Sequence, residues 1–196
     1  MNILIITAHP SSLGHTHKIA EEYKKNKVFK GHTVQLIDVF SKKYEMPLFK
    51  FESIRDVVLP KEAQDAQKLI TWANEIVIIH PVWWGLPPSA LKNFIEFVFW
   101  KGFAYKYTPE GKVDKLLTGK TAKVFATCGG PSWIYKIPFL MPLKSFWKIC
   151  LLDFVGVELI DFKVLGNLDK IRDEDKKEKI FGKFLKDIAQ SAEKVK

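Results

Sequence analysis

The sequence predicts an α/β fold, a five-stranded parallel sheet with helices on both faces. Short apolar, β-branched runs alternate with stretches of helical periodicity along the chain, and parallel strands need crossover connections of that kind. The runs are also apolar throughout rather than at every second residue, as expected of strands covered on both sides.

The first run spans Asn2 to Ala8 and reads as a strand. A polar loop follows, then a helical pattern from about Thr16 to Lys27 that ends at Gly31-His32, before Thr33 to Ile37 reads as a second strand. Phe40 to Leu59 shows no clear period and reads as a surface excursion. Pro60 opens a helix to about Ala73 through Ala63, Ala66, Leu69 and Ile70, and Ile76 to Ile79 is a third strand. Pro88 opens a further helix with Leu91, Phe94, Ile95 and Val98 at helical spacing. Thr121 to Thr127 and Glu158 to Val164 are the fourth and fifth strands. A final amphipathic helix, Glu174 to Glu193, places Ile180, Phe184, Leu185 and Ile188 along one stripe. Five strands so connected point to the flavodoxin-like order 2-1-3-4-5.

The 196 residues suit a single domain over 1–196, and 47% hydrophobic with 27% charged residues is a globular balance. No apolar stretch approaches the ~20 residues of a membrane span. The opening Met-Asn-Ile-Leu-Ile-Ile has neither a basic leader nor a small-residue cleavage site, so a cytoplasmic protein is expected. Cys128 and Cys150 lack the spacing of a zinc or dithiol site and read as free thiols. The net charge of +9 raises nucleic acid as a partner. Against it, the late lysines are mixed with Asp173, Glu174, Asp175, Glu178 and Asp187, the pattern of a solvated helix face.

In an open parallel sheet, ligands bind beyond the carboxyl ends of the strands near the switch point. The loops after strands one, three and four are the unusual ones. Ala8-His9-Pro10-Ser11-Ser12-Leu13-Gly14-His15-Thr16-His17 supplies small polar groups and amides at a helix start, a ready phosphate site. It has neither the glycine spacing of a dinucleotide fingerprint nor a P-loop lysine. His9, His15 and His17 have no carboxylate or cysteine among them, so no metal is expected. Pro81-Val82-Trp83-Trp84-Gly85 and Thr127-Cys128-Gly129-Gly130-Pro131-Ser132-Trp133-Ile134-Tyr135 add indole faces and close-approach amides, which suit a flat heteroaromatic ligand.

The segments "AHPSSLGHTH", "HPVWWGLPPSALKNFIEFVF", "GFAYKY" and "TCGGPSWIY" resemble those of the flavodoxin-fold NAD(P)H:quinone oxidoreductases, a group with mammalian quinone reductases and bacterial modulator-of-drug-activity and potassium-efflux ancillary proteins. The resemblance runs from Met1 to about Tyr135. It implies a non-covalent flavin, FMN or FAD, reduced by NADH or NADPH, with a quinone, azo or nitro compound as acceptor in ping-pong order. His9, Gly14, His15, Thr16 and His17 would surround its phosphate and ribityl chain. Pro81, Val82, Trp83, Trp84 and Gly85 would border the isoalloxazine, and Thr127, Cys128, Gly129 and Gly130 its pyrimidine edge. Glu96 matches an adenosine contact of FAD-binding members. Tyr105 and Tyr107 match tyrosines lent to the neighbouring subunit's pocket, so a homodimer is expected, with Trp84 and Trp133 completing the substrate pocket. Tyr135 is the expected catalytic residue. The histidine that follows the matching tyrosine in mammalian members has no counterpart in Ile137 to Pro142. An electron carrier or a transporter-associated regulatory flavoprotein is the alternative.

Overall fold

The structure, a computed structural model, describes residues 1–136, 142–167 and 170–193. Its elements are β1 (Asn2–Thr7), α1 (His15–Phe29), β2 (Thr33–Asp38), α2 (Lys61–Trp72), β3 (Glu75–Pro81), α3 (Ser89–Val98), β4 (Tyr105–Tyr107), β5 (Val113–Lys115), β6 (Lys120–Thr127), α4 (Leu143–Ser145), α5 (Asp153–Val155), β7 (Val157–Leu165) and α6 (Glu174–Glu193). A π-helical stretch, Phe146–Leu152, joins α4 to α5. Five strands form one parallel sheet in the order β2-β1-β3-β6-β7.

That numbering corrects the predicted 2-1-3-4-5. Two strands the sequence reading misses, β4 and β5, fall between β3 and β6 and pair only with each other, antiparallel. Each has three residues, Tyr-Lys-Tyr and Val-Asp-Lys, too few to display a period of two. The helical segment from Leu143 to Val155 was also not predicted, and the excursion after β2 contains two single 3-10 turns, Lys42–Tyr44 and Ile54–Asp56.

Alternation along each strand divides the core in two. Leu4, Ile6, Ile76, Ile78, Ala122 and Val124 face α2, α3 and Trp147 of the π stretch. Ile3, Ile5, Val77, Ile79 and Phe125 face Ile19 and Tyr23 of α1 and Phe184 and Ile188 of α6. Every residue of the central strand β3 is buried, whereas β2 at the edge alternates. Such two-sided burial is why the strands read as unbroken apolar runs. Among the described residues no helix is long and apolar enough to cross a membrane.

Two polar clusters interrupt this core, one at each end of β3. At its start, Glu75 is 1% exposed and lies 3.1 Å from Lys27 Nζ and 3.2 Å from Lys123 Nζ. The Tyr23 hydroxyl donates to Glu75 Oε1 at 2.6 Å. Burial first, and then the Glu75 charge, raises the tyrosine pKa far above its ordinary value. The cluster ties α1 to β3 and β6.

At the other end, His80 is fully buried between two partners. Trp147 Nε1 donates to His80 Nε2 at 3.0 Å, and His80 Nδ1 lies 2.7 Å from the Pro81 carbonyl. An indole N–H can only donate and a carbonyl only accept, so Nδ1 carries the proton. Burial holds the His80 pKa down at about 4.

Glu75→Gln leaves two buried ammonium groups without their shared counter-charge. It should therefore cost about 3 to 5 kcal/mol of stability, read as a lowered urea midpoint. The His80 proton gives a second expectation. Between its folded pKa of about 4 and its ordinary 6.5, the unfolded chain binds a proton that the folded chain refuses. Stability present above pH 6.5 is thus lost as the pH falls, by about 3 kcal/mol once it passes the folded value. Urea titrations from pH 7 to pH 4 should show this dependence in the wild type and a shallower one in His80→Asn.

Candidate functional site

The carboxyl ends of β1, β3 and β6 open into one cavity of about 260 Å³, lined by His9, His15, Pro81, Val82, Trp83, Thr127, Cys128, Gly129 and Lys177. Strand register brings the three loops together: Thr7 pairs with Ile79 and Pro81 with Thr127. Beyond the strands, the Ala8 amide donates to the Ile79 carbonyl at 3.0 Å and the Val82 amide to the Thr127 carbonyl at 2.7 Å.

The first loop folds on itself before α1. The Ser11 amide donates to His9 Nδ1 at 3.0 Å, and the Gly14 amide to the Ser11 carbonyl at 3.2 Å. A Cβ at position 14 would come within 3.0 Å of the His9 ring, so glycine there keeps the imidazole against the cavity. Gly14 caps α1 in extended conformation with no side-chain cap and no acidic residue in the first turn. The helix start therefore offers amides and positive dipole without an internal counter-charge. Thr16 is 1% exposed, and its Oγ1 has no hydrogen-bond partner among the described residues. His15 stacks edge-on against Phe181 at 4.5 Å. His17 turns away from the cavity, its Nε2 lying 3.5 Å from Asp38 Oδ2.

The second loop is a tight hairpin turn. Trp83 and Leu86 exchange backbone hydrogen bonds of 2.9 and 3.1 Å around Trp84 and Gly85, whose φ values are 53° and 81°. Positive φ at both central residues defines the primed turn normally given to Asn-Gly. Glycine meets that demand at position 85. A tryptophan meets it at position 84 against the steric preference of a bulky side chain, at about 1 to 2 kcal/mol. Trp84 is wholly exposed, while the Trp83 ring sits 6.3 Å from the His9 ring.

The third loop is anchored from β7. The Cys128 amide donates to the Leu165 carbonyl at 2.8 Å and the Asn167 amide to the Gly130 carbonyl, also at 2.8 Å. Gly166 is required here, since a Cβ would fall 2.4 Å from the Gly130 oxygen. A Cβ at Gly130 would meet nothing within 4 Å, so the space above this glycine is open. Tyr135, on the 3-10 turn Ser132–Lys136, is buried, and burial followed by the nearby Cys128 raises its hydroxyl pKa. Trp133 on the same turn is exposed.

Not every expected residue reaches this cavity. Gly14, Thr16, Trp84, Gly85, Gly130, Trp133 and Tyr135 are not among the residues that line it. Glu96 lies on α3, ion-paired with Lys92. Tyr105 packs against Phe154 at 5.0 Å, and Tyr107 lies under Lys101 with 5.6 Å from Nζ to the ring. None of these three lines the cavity within this chain. In the segment Phe99 to Tyr107, Phe99 and Ala104 lie in the core, Trp100, Phe103 and Tyr105 are half-buried, and Lys101, Gly102, Lys106 and Tyr107 are exposed. Residues 137–141, where the mammalian histidine has no counterpart, lie outside the described residues.

The sequence reading missed Lys177. It reaches the cavity from α6 while lying 3.4 Å from Glu174 Oε1, and its charged neighbours in sequence disguise it as one more solvated lysine. A groove of about 460 Å³ continues from His15 and Lys177 past Lys18 and Phe181. Among the described residues no group of three His, Cys, Asp or Glu side chains could hold a metal ion.

Comparison with known proteins follows this geometry. The chain is 28% identical over 185 residues to a Haemophilus influenzae protein named as an uncharacterized NAD(P)H oxidoreductase, covering 90% of this chain and 89% of that one. It is 31% identical over 175 residues to an FMN-dependent NADH:quinone oxidoreductase of Caldicellulosiruptor bescii, covering 83% and 84%. A crystal structure from Streptococcus mutans UA159 superposes with a TM-score of 0.83 at 29% identity, over 98% of each chain. The family described as the flavodoxin-like fold matches residues 1–191, and the chain belongs to it.

Proposed function

We propose that this chain is an FMN-dependent NAD(P)H oxidoreductase that reduces quinones or related azo and nitro acceptors. The observation that carries the reading is the single cavity where three strand ends meet, with an uncapped helix start on one side and glycine amides on the other. Names borne by relatives agree: FMN-dependent NADH:quinone oxidoreductase and NAD(P)H oxidoreductase.

The residues present fit the cofactor. Thr16 Oγ1, buried without a partner among the described residues at the first turn of α1, is a hydroxyl waiting for an acceptor, and a phosphate oxygen supplies one. The uncapped α1 amides and the Lys177 ammonium add charge-assisted donors for a dianion. Pro81, Val82 and Trp83 give an apolar wall for a flat ring, and the Gly129 backbone a polar edge. Bound there, the flavin supplies hydride acceptance from NADH or NADPH and its delivery to the acceptor.

The chain's own part is to hold the ring, exclude water from one face and keep a proton nearby. Burial favours the neutral Tyr135 hydroxyl, so its oxygen holds a proton beside Cys128 across the working pH range. We read the chain as one domain over 1–196 acting in the cytoplasm, with Cys128 and Cys150 as free thiols. We also infer a homodimer. Exposed Leu13, Trp84 and Trp133 are large apolar groups for free solvent, and a second subunit would cover them and bring Tyr105 and Tyr107 to the partner's cavity.

The purified protein should bind FMN with a flavin absorbance band, and mass analysis of the released chromophore identifies it. A colourless protein that takes up neither FMN nor FAD at micromolar concentration would overturn the reading. Lys177→Ala should weaken FMN binding about three- to tenfold, the range for a partly exposed ion contact. Tyr135→Phe should slow flavin reduction by NADH about tenfold in stopped flow, as loss of one hydrogen bond that strengthens in the transition state. Reduction at the wild-type rate would leave the tyrosine a core residue only.

A further inference from the structure

The cavity wall formed by Pro81, Val82 and Trp83 leaves β3 through a peptide whose orientation the ladder fixes on one side only. On that side the Val82 amide donates to the Thr127 carbonyl at 2.7 Å. The Pro81 nitrogen has no hydrogen to give, and on the opposite side the Ala8 amide holds the strand only at the Ile79 carbonyl, two residues earlier, at 3.0 Å. His80 holds the strand end from inside the core. Its Nδ1–H donates to the Pro81 carbonyl at 2.7 Å, and its Nε2 accepts from Trp147 at 3.0 Å.

Both ends of this chain of bonds are immobilised. His80 and Trp147 are 0% exposed, and their rings lie 5.3 Å apart at an interplanar angle of 41°. Trp147 stands in the π-helical stretch Phe146–Leu152. An α-helix takes a π turn by widening its ladder, and such turns are frequent at functional positions. Here the stretch delivers one indole N–H to a single imidazole nitrogen beneath the cavity. An apolar pair of the same size would fill the core equally well without fixing the peptide. The histidine can satisfy both of its neighbours in one tautomer only, and that tautomer sets the direction of the Pro81 carbonyl.

We propose that His80 and Trp147 are a positioning pair that sets the Pro81–Val82 peptide, and through it the wall against which the ring of the bound cofactor or acceptor lies. The part concerning the bound ring rests on the flavin reading above; the part concerning the peptide does not. His80 is a positioning residue, since Pro81 and Val82, not His80, face the cavity. The Trp83–Leu86 turn springs from this peptide, so the pair also fixes the base from which Trp84 projects.

Three measurements test it. In the wild-type apo protein at neutral pH, 15N NMR of the imidazole should show His80 protonated at Nδ1 with Nε2 a bare acceptor; the opposite tautomer overturns the proposal without any variant. Trp147→Phe keeps an aromatic ring and removes the donor, and in the apo protein it should speed hydrogen exchange at the Val82 amide at least about tenfold. Leu152→Ala, a cavity in the same π stretch away from His80, serves as the control for general loss of stability. Unchanged exchange in Trp147→Phe, or equal acceleration in Leu152→Ala, overturns the proposal. With FMN, Trp147→Phe should bind roughly tenfold more weakly, and His80→Asn, which can still donate to the Pro81 carbonyl, should recover part of that loss. Wild-type affinity in Trp147→Phe sinks the link to the bound ring. A wild type that binds no flavin sinks the flavin reading instead, and the apo exchange then decides the positioning role alone.

Discussion

Everything in this structure depends on β3 being held in the middle of a parallel sheet. β1 and β6 pair with it on either side, helices cover both faces, and each of its seven residues is buried. A strand in that position contributes no solvent-exposed side chain, so any polar group it carries must find its partners inside. Glu75 at its start and His80 near its end do so in different ways. The carboxylate is neutralised by two ammonium groups and a phenol, the imidazole by one donor and one acceptor. The first solution joins α1, β3 and β6 into a rigid base. The second sits beneath the cavity, where the direction of one peptide matters more than overall cohesion.

The two clusters also show what buried polarity costs and returns. A buried ion pair is weak evidence of stability in itself, because desolvation of each charge offsets the attraction. The two ammonium groups on Glu75 Oε1 and Oε2 depend on that one carboxylate, because removing it strands both. A neutral imidazole with both nitrogens satisfied carries a smaller penalty and restricts its own rotamer and tautomer together. Strain at the other extremity of the same loop follows a similar division. Trp84 holds a left-handed backbone in full solvent, with no packing in this chain to repay it. The turn is therefore shaped for something other than the stability of this chain.

The sheet was legible because two-sided burial writes itself into sequence as unbroken apolar runs, and β1, β3 and β6 appear almost at their observed limits. The three loops at their ends were legible as well, since Gly, Pro, His and Trp in short order do not extend any regular element. What the sequence hid is set by tertiary approach. Lys177 reaches the cavity only because α6 packs beside α1, and nothing in a run of alternating charges distinguishes it from Lys176 or Lys179. Gly166 looks like an ordinary glycine after a strand until the Gly130 carbonyl is placed 2.4 Å from where its Cβ would be. Glu96, Tyr105 and Tyr107 came from resemblance rather than from spacing. None of the three lines the cavity within this chain. His80, one residue past the predicted third strand, was given no role.

That last omission has a physical cause. A histidine at the end of a buried strand is unfavourable by burial alone, and pattern reading can only mark it as the point where hydrophobicity stops. Its partner lies 67 positions away, in a segment whose aromatic content suggests no more than core filling. Only the combination is informative: a donor-only indole, an acceptor-only carbonyl and between them a ring that can serve both in a single protonation state. Such a group resists substitution by Leu or Phe of similar volume, because each replacement leaves both the Trp147 N–H and the Pro81 carbonyl without their partner. It resists exchange for a charged residue as well, because neither of its hydrogen-bond partners, an indole and a carbonyl, carries a charge. The constraint is therefore chemical rather than volumetric, which is what a device for holding one peptide in one orientation requires.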